Sequence, residues 1–88
     1  MLKLYTANFQ INDRVETDHI VDECRILVGV TPSNLQIFSD HDKHQTNFTL
    51  SDSVLNDQDI EEYFQQIAED LSKYLCVTVL LNEVIDDN

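Results

Sequence analysis

Between residues 57 and 74, apolar side chains recur at helical spacing: Ile60, Tyr63, Phe64, Ile67, Ala68, Leu71 and Tyr74 form one stripe on a segment otherwise polar or acidic. A helix with a single oily face must bury it against another layer, and in 88 residues only one such layer can be built. The chain is therefore read as one domain, 1–88, with one modest core, no second domain and no deep cofactor cleft. Wholesale disorder is excluded, because 42% of positions are apolar despite the heavy charge.

The other layer comes from strand-like runs: Leu2 to Ile11, Asn34 to Ser39, Asn47 to Leu50, and Leu75 to about Ile85. The last is apolar on both faces and is expected to be a central strand. The polar stretch from Ser39 to Gln45 is expected to be a hairpin loop. A first helix of about three turns follows from Ile20, Val21, Cys24, Leu27 and Val28, with Thr17 or Asp18 as its cap and Gly29 then Pro32 as its stop. Asn56 or Asp57 is expected to cap the second helix. The fold class is α+β, a two-layer domain of one sheet and two helices.

Two element orders fit. If residues 2–11 are one strand, the order is βαββαβ, as in ferredoxin-like domains. If residues 2–15 form a hairpin turning near Ala7 and Asn8, the order becomes that of a β-grasp with an added amphipathic helix near the C-terminus. The stretch Asp18-His19-Ile20, the apolar helix, and Gly29-Val30-Thr31-Pro32-Ser33-Asn34-Leu35-Gln36-Ile37-Phe38 resembles the helix-to-strand passage of ubiquitin-like domains. Thr49-Leu50-Ser51-Asp52 resembles a short segment after that family's fourth strand. This resemblance, covering about a third of the chain, implies the β-grasp order. The 57–74 helix is not part of the ubiquitin core, and no diglycine closes the sequence, so conjugation as a modifier is not expected.

Catalytic chemistry finds little to work with. There is no Gly-x-Ser-x-Gly elbow, and His19 is expected on the surface of the first helical turn. Cys24 and Cys76 both fall where a buried apolar residue is expected, and are read as reduced core thiols. Asp40, Asp42 and His44 alternate and offer ligands to a divalent ion, but a solvated hairpin tip calls for the same residues, and the EF-hand pattern is not met. Asp52-Ser53-Val54 resembles the attachment serine of acyl carrier proteins, yet Val54 stands where those carriers have Leu, and the strand-like segments do not suit a helical bundle. No enzyme activity, metal or cofactor is expected.

The N-terminal segment alternates polar with apolar residues and lacks a secretory pattern, so a soluble cytoplasmic protein is expected. What remains is charge. The net is −12; residues 1–50 hold seven acids against four bases, whereas residues 51–72 hold seven acids and no base. Acids in a first helical turn are favoured by the helix dipole, but Asp57 with Glu61 is a like-charge pair one turn apart. Carboxylates on successive turns stand about 5–6 Å apart, the order of phosphate spacing in a nucleic-acid strand. A charged face also simply keeps a small domain soluble.

The expectation is a non-enzymatic binding protein that blocks a basic, nucleic-acid-binding surface of a partner protein. Asp57, Asp59, Glu61, Glu62, Glu69 and Asp70 supply charge, and Gln65 and Gln66 supply amide contacts. In length and charge the chain resembles phage anti-restriction and anti-CRISPR proteins and the immunity proteins of nuclease toxins. The alternative is a ubiquitin-like adaptor that holds its partner on the sheet. The charge opposes direct binding of nucleic acid, and nothing suggests a membrane partner.

Overall fold

The structure is a computed structural model describing residues 2–30, 32–40, 42–55 and 59–87. Strand β1 (Leu2–Ile11) leads to helix α1 (Thr17–Val28), a single 3-10 turn (Pro32–Asn34), the hairpin β2 (Leu35–Asp40) and β3 (Gln45–Leu55), helix α2 (Ile60–Leu75) and strand β4 (Val79–Asp86). The strands form one antiparallel sheet in the order β2-β3-β1-β4.

β1 alternates along its length. Ala7, Phe9 and Ile11 are buried toward the helices, while Thr6, Asn8 and Gln10 lie on the opposite face. Phe9 stacks on Phe48 of β3 with ring centroids 4.9 Å apart, and Leu50, Ile20, Cys24, Phe64, Ala68 and Leu71 join them in one core. Residues on one sheet face thus meet buried residues of both helices, which leaves the other face open.

The hairpin expected near Ala7 and Asn8 does not form, and the chain follows the βαββαβ order. Ala7 pairs with both Leu50 and Val84, and Asn8 with both Thr49 and Glu83, so each is held between two strands. The irregularity there lies in β4, where Asn82 is the extra residue between the partners of Asn8 and Phe9. β3 is also longer than expected: Thr49-Leu50-Ser51-Asp52 lies inside it rather than after a strand.

β4 is an edge strand, not the central one expected. The apolar run splits between two elements: Leu75 closes α2, and Cys76 turns the chain in the left-handed region at φ 58°. Val79, Leu81 and Val84 face the helices, but Leu80 and Ile85 lie on the open face, 42% and 41% exposed. The strand is apolar on both faces, but among the described residues no helix covers the second. Ser72 ties the start of this strand to α2, donating to the carbonyl of Ala68 at 2.7 Å and accepting the N–H of Val79 at 2.8 Å.

The helix ends differ from expectation by small shifts. Glu16, without a side-chain capping bond, precedes α1, while Thr17 and Asp18 occupy the first turn. Gly29, at φ 68°, closes α1 in the left-handed conformation that a residue without Cβ adopts at least cost. Asp59 caps α2, accepting the N–H of Glu62 at 3.2 Å; Asn56 and Asp57 lie outside the described residues. Tyr74, expected in the apolar stripe, is 56% exposed because it reaches beyond the core at the last turn.

The cysteines part company. Cys24 is buried, and desolvation, with Glu23 adding to it, pushes its thiol up from 9.0 to about 12. Cys76, expected in the core, is exposed at the left-handed end of α2, where a position outside the packed stripe gives it nothing to be buried against. A thiol reagent at neutral pH is expected to modify one cysteine per folded chain, lost in Cys76→Ser, with the second appearing only in denaturant.

Thr46 is the buried polar side chain of the core. Its hydroxyl donates to the carbonyl of Asp13 at 3.1 Å and accepts the N–H of Val15 at 3.4 Å, pinning the β1–α1 connection to β3. Thr46→Val keeps the shape but strands both backbone groups, so chemical denaturation is expected to show a loss of about 1–3 kcal/mol.

Candidate partner-binding surface

α2 is seated by Phe64, Ala68 and Leu71, all fully buried, with Ile67 beside them. Its outer half then presents Glu61, Glu62, Gln65, Gln66 and Glu69, exposed, with Asp59 exposed at the cap and Asp70 half-buried. Asp57, also expected here, lies outside the described residues, and with it the like-charge pair to Glu61.

These acids do not form a single line. At about 100° per residue, Glu62 and Glu69 fall within about 20° of each other, whereas Glu61 and Asp70 stand about 180° apart on opposite flanks. Positions 61, 62, 69 and 70 are spaced to spread around a helix, so the acidic surface is a band.

Each flank borders a groove. Toward β4, Asp59, Glu61, Glu62 and Gln65 stand over Leu81, Asn82, Glu83 and Val84, enclosing about 550 Å³. Toward α1, Glu62, Gln66 and Asp70 rim a space of about 770 Å³ floored by Leu27, Val28 and Ile67. Glu69 borders neither. Gln66 is not free for a partner, since its Nε2 donates to Asp70 Oδ1 at 3.1 Å. In the β4 groove the half-buried Leu81 and Val84 lie beside three carboxylate side chains, Asp59, Glu61 and Glu62.

Sequence reasoning missed Glu83 and Asn82. They are more than twenty residues from Asp59 in the chain, and only the return of β4 beside α2 brings them together. Glu83 Oε2 accepts from Asn8 Nδ2 at 3.2 Å, which turns its carboxylate to the open face of the sheet.

Under α2, Tyr63 donates its hydroxyl to Asp52 Oδ2 of β3 at 2.6 Å. Burial first, then this hydrogen bond and the charge of Asp52, raise the phenol above its ordinary 10.0. The bond fastens the first turns of α2 to the sheet.

The loop of Asp40, Asp42 and His44 offers a metal ion little geometry. Asp42 and His44 are exposed, His44 has φ 50°, and His41 and the side chain of Asp40 lie outside the described residues. Among the described residues no three His, Cys, Asp or Glu side chains gather in a way that holds a metal ion. Also among the described residues, no helix is long and apolar enough to cross a membrane.

Comparison with protein-family models, curated proteins and solved structures found no match to this chain.

Raising a folded-state value favours the neutral form, so the contribution of Tyr63 to stability is full below pH 10 and is lost as pH rises through the folded value. The tyrosinate absorbance that Tyr63→Phe removes is expected to develop only above pH 10 in the native protein, and Tyr63→Phe is expected to lower neutral-pH stability by about 1 kcal/mol.

Proposed function

We propose that this chain is a non-enzymatic acidic binding protein that occupies a basic, nucleic-acid-binding surface of a partner protein and thereby blocks it. One observation carries the reading: from Asp59 to Asp70 the outer half of α2 holds five carboxylates and no base, on a helix fixed by a fully buried stripe. Carboxylates held on a rigid support lose little conformational freedom on meeting Lys and Arg, and a field of this sign speeds the encounter. The band serves a concave basic surface better than a single line of charge would, since such a surface meets the helix from both flanks. In size and charge this is the design of small phage-type inhibitors and nuclease immunity proteins.

The βαββαβ order, with β2-β3-β1-β4 antiparallel, supports assigning the domain to the ferredoxin-like arrangement rather than to the β-grasp. A second reading, an adaptor that holds its partner on the sheet, is favoured by one observation: the open face carries Leu4, Leu80 and Ile85 and is uncovered by either helix.

Affinity capture at low and at moderate salt separates the two. Steep weakening with salt, and loss of the captured protein in the combined Glu61→Lys, Glu62→Lys, Glu69→Lys and Asp70→Lys variant, are expected. Capture unchanged by that variant but lost in Leu4→Ser with Ile85→Ser gives the adaptor reading instead.

A further inference from the structure

β4 pairs with β1 on one side and, among the described residues, with no strand on the other. A free strand edge is a row of backbone donors and acceptors ready for another chain. The groove of about 550 Å³ lies beside that edge: it is lined by α2 and by residues 81–84 of β4, with no residue of β1, so it follows the margin of the sheet rather than its interior. Its floor is apolar, at Leu81 and Val84, and its rim carries Asp59, Glu61 and Glu62 with no base, while the Glu83 carboxylate, bonded to Asn8, is turned to the open face.

Soluble proteins defend such edges with charge and with bulges, and β4 has both, in Glu83 and the extra residue Asn82. The defence is selective. The three carboxylates of the rim turn away a second copy of this chain, which carries the same charge, but they attract an extended segment rich in Lys and Arg. Alternate side chains of an added strand point to opposite faces. Those on one side enter the groove, where aliphatic stems lie on Leu81 and Val84 and cationic heads reach the rim; those on the other lie beside Leu80 and Ile85, which the open face leaves exposed.

We propose that β4 accepts a fifth strand: an extended Lys- or Arg-bearing segment of the partner protein pairs with the backbone at residues 81–84, the basic side chains that enter the groove held by Asp59, Glu61 and Glu62. This rests on the reading of the partner as basic and adds where and in what conformation it docks.

The test uses the full chain, isotope-labelled, with a synthetic alternating lysine–valine heptapeptide and the same peptide N-methylated at alternate backbone nitrogens. The unmodified peptide is expected to slow amide exchange in β4, and N-methylation, by removing about two backbone hydrogen bonds, to weaken binding about tenfold. An alternating glutamate–valine peptide is expected not to bind, and Glu61→Lys with Glu62→Lys is expected to abolish binding while leaving the amide spectrum of the core dispersed. Equal affinity of the methylated peptide, or shifts confined to the outer face of α2, overturns the fifth strand and leaves the basic-partner reading standing. Failure of both lysine peptides at millimolar concentration overturns the fifth strand as well; capture of the natural partner unchanged by the α2 charge reversals overturns the basic-partner reading separately.

Discussion

β1 is paired from Leu2 to Ile11 with β3 and from Tyr5 to Ile11 with β4, and the same segment supplies Ala7, Phe9 and Ile11 to the core. Both sides of the sheet and both helices are referred to this one strand. The two helices touch each other, and both bury an apolar stripe in the core that Phe9 and Phe48 anchor. A substitution that moved β1 by one residue would turn Thr6, Asn8 and Gln10 into the core and release every other element at once.

The surface follows from that burial. With Phe64, Ala68 and Leu71 held inward, the remaining positions of α2 have no orientation left to choose, and the acids among them are set outward whatever their mutual repulsion. The domain thus carries a dense set of acids on one helix while its cohesion comes from apolar contacts and a few polar ties, chiefly Thr46 to the loop before α1 and Ser72 to the first residue of β4. A net charge of −12 on a chain with so small a core is tolerable only because these two contributions act on different surfaces.

Much of this was legible in the residues. The stripe from Ile60 to Leu71, the stop at Gly29 and the α+β class are local patterns of period and punctuation, and they survive folding unchanged. What sequence could not carry was pairing. Whether Ala7 and Asn8 turn or run straight depends on Leu50 and Val84 lying on either side of them, and Asn8 reads as a turn residue when it actually faces a bulge in a distant strand. The edge position of β4 was hidden for a related reason, since a run apolar on both sides signals burial only if something covers both sides. Of the candidate surface, the helix was readable but the groove that β4 forms beside it was not, and the spread of Glu61 and Asp70 to opposite flanks required turning the sequence into angles.

The placement of residues 2–5 beside 86–87 has a mechanical result. Tyr5 faces Asp86, and Asp87 donates its backbone N–H to Leu4, so the beginning of β1 and the end of β4 meet at one corner of the sheet. Tension drawn between those two points loads the bonds of the β1/β4 pair one after another, as in opening a zip, instead of sharing the force across all of them as shearing would. The outermost strand therefore peels at low force while β1 and β3 stay joined, and whatever is attached near that corner of the molecule decides how readily it lets go.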